Sequence, residues 1–124
     1  MEQTELEAQV FNALCNDSDL LLELADGAGS IFHIVAPADD LLRYPCLVYS
    51  VTLDNPEIHG DNAELYHYVD IRIHIVTTDG EYAVIDRRVK YILLGLGFMR
   101  RNVTPYLEDG LKVLICDYRI LIPA

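Results

Sequence analysis

Between Leu65 and Val76 hydrophobic and polar positions alternate. Leu65, Val69, Ile71, Ile73 and Ile75 share one parity, and Tyr66, Tyr68, Asp70, Arg72 and His74 the other. A period of two predicts a strand with one buried face. After Thr77-Thr78-Asp79-Gly80 the apolar spacing lengthens to three and four through Tyr82, Ile85, Val89, Ile92, Leu93 and Leu96. That spacing predicts an amphipathic helix, with Gly95 and Gly97 at its C-terminus. A half-wet strand feeding directly into a helix leaves one side of its sheet for water or for a partner.

The flanking elements follow the same logic. Thr4 and Glu7 form a T-x-x-E capping box ahead of Leu6, Val10, Phe11 and Leu14, which predicts an N-terminal helix. Asn16-Asp17-Ser18 breaks it and offers an N-cap for a short second helix over Leu20 to Ala25, closed by Gly27 at C′. Ile31 to Val35 is a short extended segment that Pro37 ends, and Pro45 opens a strand over Leu47 to Leu53. The polar stretch from Asp54 to Glu64, with Pro56 and Gly60, predicts a loop of about eleven residues, longer than an ordinary hairpin connection. Phe98–Tyr106 and Leu111–Ile122 predict a hairpin around Glu108-Asp109-Gly110. The last strand is apolar on both faces, with Val113 and Ile115 on one and Leu114, Cys116, Tyr118, Ile120 and Ile122 on the other, so it should be covered on both. The fold class expected is α+β. One domain, residues 1–124, carries an antiparallel or mixed sheet of four to five strands, with the N-terminal helix and one long helix on one face.

Composition adds a hint of assembly. Hydrophobic residues make up 52% of the chain, with eight Tyr and no Trp, more apolar surface than a small solitary domain needs. The net charge of −11 argues against partners such as nucleic acid or an anionic membrane. Its distribution is uneven. Nine acids and no Lys or Arg lie between Met1 and Leu42, whereas Arg87, Arg88, Lys90, Arg100 and Arg101 lie between Arg87 and Leu107 with no acid. Either these are two solvated faces, or opposite charges meet between copies of the protein and set the register of a head-to-tail contact. Cys15, Cys46 and Cys116 are too scattered for a disulfide framework, and Cys46 and Cys116 read as small core residues. With no signal peptide and no apolar run near 18 residues, the protein is expected in a reducing cytoplasm.

Candidate chemistry is sparse. His59-Gly60-Asp61 could join His67 in a metal site, but no recognised ligand spacing supports it. His67 and His74 differ by an odd number and should point to opposite faces of their strand. No G-x-S-x-G elbow exists, and Gly95-Leu96-Gly97 closes a helix where a dinucleotide fingerprint would open one. The expectation is no catalytic residue, no metal and no cofactor.

The order of elements carries a resemblance. An acidic N-terminal helix precedes a Pro-led strand, Tyr44-Pro45-Cys46-Leu47-Val48-Tyr49. A polar stretch leads to Tyr68-Val69-Asp70-Ile71-Arg72-Ile73-His74-Ile75, then a helix ends at Gly97-Phe98, and a last strand holds Asp117-Tyr118-Arg119. This pattern resembles the tail completion or tail terminator (tail-to-head joining) proteins of long-tailed bacteriophages, from about Met1 to Ile122. The helix after the central strand departs from the family, with a short lead-in and Tyr82, Arg87, Arg88 and Tyr91 where an Ala-rich helix is usual.

The resemblance implies a non-enzymatic ring, commonly hexameric, that caps the tail tube and docks to the head connector. It would assemble in the host bacterial cytoplasm and end in the virion. Partners would then be the chain itself, the tail tube protein and the connector protein, with no membrane and no sequence-specific nucleic acid. The interface residues expected are Glu5, Glu7, Asp17 and Asp19 against Arg87, Arg88, Lys90, Arg100 and Arg101. Tyr66, Tyr68 and Arg72 would act as anchors on the wet strand face, and His59 and Asp61 would sit in a reaching loop. The alternatives are another small oligomeric adaptor, such as a head–tail connector protein, or a metal-dependent enzyme using His59 and Asp61.

Overall fold

The computed structural model describes residues 3–36, 42–60 and 63–123, and for 3–4, 53–60, 63–66 and 123 the backbone alone. Helix α1 (Gln3–Cys15) and α2 (Ser18–Glu23) lead through a 3₁₀ turn (Gly27–Ser30) to β1 (Ile31–His33). Then come β2 (Cys46–Gly60), β3 (Ala63–Thr77), α3 (Ala83–Gly95), β4 (Met99–Glu108) and β5 (Leu111–Pro123). The five strands form one mixed sheet in the order β1-β2-β3-β5-β4, in which β1 runs parallel to β2 and every other pair is antiparallel.

Strand β3 lies at the centre and obeys the alternation strictly. Val69, Ile71, Ile73 and Ile75 are each 0% exposed. They share a core with Leu47 and Tyr49 of β2, Leu114, Cys116 and Tyr118 of β5, and apolar residues of all three helices. The helices therefore cover one face of the sheet.

Each local signal has a visible cause. Asp17 caps α2, its Oδ1 accepting from the Leu20 amide at 2.8 Å. Helix α3 closes in a Schellman arrangement: Gly97, at φ +101°, donates to Leu94 O, and Phe98 donates to Leu93 O, both at 3.1 Å. Phe98 and Leu93 are both buried there. Asp109 and Gly110 turn the last hairpin with φ of 51° and 80°, the two positive angles of a type I′ turn. Cys46 and Cys116 are both buried, Cys116 in the core beneath the helices and Cys46 on the opposite face of the sheet.

Three expectations need correction. The segment from Asp54 to Glu64 is not a loop: β2 continues to Gly60, β3 begins at Ala63, and the two pair throughout. Register shifts after Val51 and at Ile58 break the period of two that would have exposed the strand in the sequence. Helix α1 already includes Gln3, one residue before the Thr4 expected to cap it, and Glu7 lies 3.3 Å from His33 of β1. Helix α2 ends at Glu23, because Leu24 is extended and the Ala25 amide donates to Pro45 O.

On the face away from the helices, two ion pairs bridge β3 and β5. Arg72 meets Asp117 at 2.8 and 3.2 Å, and Arg119 meets Asp70 at 2.6 and 3.0 Å. Each pair is directly opposed in the ladder. Slipping β5 by one residue would turn its apolar row outward. Slipping it by two keeps the faces but sets Arg72 opposite Arg119 in one direction and Asp70 opposite Asp117 in the other, so like charges oppose every such error. A double-mutant cycle over Arg72→Ala and Asp117→Ala, measured by urea unfolding, should give a coupling of about 1 kcal/mol. Strictly additive single losses would remove this pair from the register argument.

Candidate subunit interface

The charged residues singled out by the sequence fall into three groups. The first is consumed within the chain. Arg88 forks onto Asp17 through contacts of 2.7, 2.9 and 3.0 Å, with Asp19 at 3.9 Å. Arg100 meets Asp86 at 2.6 Å, and Glu7 meets His33. The acidic N-terminal third and the basic segment do answer one another here, but through Asp17 and Arg88 of the same chain. The Arg88 guanidinium, and after it the Leu20 amide, hold the Asp17 carboxyl below its ordinary value against the opposing effect of burial.

The second group lies on the open sheet face. Tyr68 is half-buried beneath the Arg119 guanidinium, 4.0 Å from its ring centroid. Arg72 is held by Asp117, and Arg101 comes within 3.8 Å of Asp70. Thr52, Asn102 and these charges line a shallow polar groove of about 330 Å³. Toward the Thr77 end the same face is apolar and partly covered. Cys46, Val48 and Val113 are buried there, and a groove of about 270 Å³ runs among them, Ile34, Val35 and Tyr44. The strand face expected to be uniformly wet is thus half-covered. Burial, and then Arg72, lower the pKa of His74 on this face. The Tyr66 and His59 side chains and the whole of Asp61 lie outside the described residues.

The third group is free. Glu5, Arg87 and Lys90 are exposed, and among the described residues neither Arg87 nor Lys90 forms an ion pair. Arg87 lines a groove of about 450 Å³ between α2 and α3, together with Asp19, Leu22, Glu23, Val84, Arg88 and Tyr91. Three of these are large apolar side chains left in water: Leu22 is 83% exposed, Tyr91 67% and Val84 52%. No motif or charge run in the sequence marks this groove. Its signal was present as Leu22, Val84 and Tyr91 standing off the buried helical stripes.

The sheet edges are blunted. In β4 a register shift separates Arg100 from Asn102, and Pro105 interrupts the row of amide donors. At the opposite edge β1 spans three residues and is followed by Ile34, whose φ of 71° is strained for a β-branched residue. Beyond Tyr49 the outer part of β2 has no β1 neighbour, and there Pro56 and register shifts interrupt the edge, so strand addition is a poor route to assembly on either side.

Reactive groups are muted. Burial pushes the Cys46 thiol up to about 11 and, aided by Asp86, the Cys116 thiol up to about 12, so both stay protonated at neutral pH. Among the described residues no group of three or more His, Cys, Asp or Glu is placed to hold a metal ion. Histidines 67 and 74 occupy positions of opposite parity in the unbroken β3–β5 register.

Among solved structures, the chain is similar in fold to a chain of the virion of a native gene transfer agent (GTA) particle. The TM-score is 0.65 at 12% sequence identity, and the likeness covers 96% of this chain and 95% of that one. No family model matches the sequence, and no curated protein matches it.

The Asp17 pair sets a pH dependence. A carboxyl with a lowered folded pKa contributes stability that is full above its unfolded value near pH 4 and is lost as the pH falls through the folded pKa. Asp17→Asn should lower stability at pH 7, and its deficit against the native chain should close as the pH is taken below about 4. Asp17→Ala should cost about 1 kcal/mol more, because the helix cap goes too. Urea unfolding at pH 7 and pH 3 measures both effects, and a deficit that persists at low pH would contradict the assignment.

Proposed function

We propose that this protein is a non-enzymatic structural subunit of a phage or prophage particle. In this reading it is a tail terminator that assembles into a ring, commonly a hexamer, caps the tail tube and joins the tail to the head connector. The observation that carries the reading is the likeness to a virion chain, which extends over almost the whole of both chains. At that identity the likeness is one of fold alone. It gains weight from agreeing with the resemblance drawn from the Pro-led strand, the alternating strand and the Gly-Phe helix end.

The surface supports the same reading. Its grooves are shallow, its cysteine thiols are held protonated, and its best-defined charges are spent on holding strands and helices together. Arg87, in no ion pair among the described residues, and the exposed Leu22, Val84 and Tyr91 beside it suit a protein partner better than a small substrate. No helix among the described residues is long and apolar enough to cross a membrane. Assembly would take place in the cytoplasm of the bacterial host, and the finished ring would remain in the virion.

The test is to add the purified chain to tubes polymerised from the tail tube protein encoded beside it and to image the ends by electron microscopy. A ring-shaped cap at one end, with tube growth halted there, is the expected result. Binding to isolated head connectors with bare tube ends would move the assignment to a head–tail adaptor.

A further inference from the structure

Arg72, Arg88 and Arg119 each present Nε and Nη2 together, as a fork, to a single carboxylate. Arg100 departs from that pattern. Its Nη2 meets Asp86 Oδ1 of α3 at 2.6 Å and Cys116 Sγ of β5 at 3.5 Å. Its Nε is buried and has no hydrogen-bond partner among the described residues.

Tyr118 supplies a second bare atom. It stands directly opposite Arg100 in the β4–β5 ladder, and its Oη is likewise buried without a partner among the described residues. The whole residue is 0% exposed. Burial raises its hydroxyl above the ordinary tyrosine range, so the proton stays on. The two side chains do not pack flat on one another. The Arg100 guanidinium carbon lies 5.9 Å from the Tyr118 ring centroid, whereas that of Arg119 sits 4.0 Å above Tyr68. A buried donor and a buried hydroxyl left bare would each keep the full cost of lost hydration.

We infer that a buried water molecule bridges Arg100 Nε and Tyr118 Oη. The ligand must accept from Nε–H, which can only donate, and must suit a hydroxyl that can do either. It must also be small enough to lie within the core. An anion is disfavoured, because the Asp86 carboxylate already neutralises the same guanidinium. Water meets these demands, filling the prong of the Arg100 fork that Asp86 leaves open.

The site has a structural consequence. Of the β4 residues from Met99 to Glu108, only Arg100 is not exposed. Its side chain is the one that carries this edge strand into the core, held to α3 by Asp86 and, through the water, to the hydroxyl on β5.

Tyr118→Phe keeps the ring and removes only the hydroxyl, so the sign of its effect is the test. With the water in place the variant breaks one of its bonds. Its melting temperature should fall by about 4 °C or more, and amide exchange along β4 should quicken about tenfold. A melting temperature that holds or rises would overturn the inference, because removing a hydroxyl that is simply bare relieves a cost.

A crystal structure that shows ordered solvent is the second measure. A solvent peak within about 3.2 Å of both Nε and Oη is the expected result. No peak, a peak bonded to only one of the two atoms, or Nε turned directly onto Asp86 as in the other forks would each overturn it.

Discussion

The structure depends on the strict two-facedness of β3. This strand is paired on both sides, by β2 and by β5, and its odd-numbered residues from Val69 to Ile75 carry the centre of the core. Once that parity is set, the helices must lie on one face and the polar row of Asp70, Arg72 and His74 on the other. Parity alone, however, leaves two-residue slips open. The crossed order of charge on the facing strands, Asp70 then Arg72 against Asp117 then Arg119, closes that gap by meeting either slip with like charges. Hydrophobic burial supplies the stability of the sheet, and charge supplies much of its uniqueness.

A second ion pair joins the helices in the same economical way. The Asp17 carboxylate caps α2 and holds the Arg88 fork of α3, so one side chain fixes a helix start and a helix–helix contact. This matters for function by subtraction. An arginine whose hydrogen-bonding edge is filled within its own chain has little left for a neighbour, whereas Arg87 and Lys90, on the same helix, form no ion pair among the described residues. A charge count along the sequence cannot separate these two kinds of base. Geometry does.

How much the sequence disclosed follows from the range of each interaction. The β3-to-α3 switch, the Asp17 cap, the Gly97-Phe98 helix end and the Asp109-Gly110 turn are decided within a few residues, and they were legible. The outer part of β2 was not, because Pro56 and two register shifts disturb its alternation and its strand character comes from pairing with β3. The Asp70–Arg119, Arg72–Asp117 and Asp17–Arg88 pairs were invisible for the same reason: each joins residues far apart in the chain, and the first two need the β3–β5 register before they can be drawn. The exposed groove between α2 and α3 needed the packing of two helices, one of them only six residues long.

These features bear jointly on what kind of protein this is. A solitary domain has no evident use for Leu22, Val84 and Tyr91 left in water beside Arg87, a base with no ion pair among the described residues. Each would lower solubility or stability without return. The costs make sense together if one partner surface covers all three side chains at once. The edges point the same way. A sheet with a shifted and Pro-bearing β4 on one side, and on the other a three-residue β1 beside an outer β2 broken by Pro56 and register shifts, is guarded against open-ended strand addition. Guarded edges combined with one exposed apolar groove favour association of limited extent through side-chain faces over open-ended growth of a sheet.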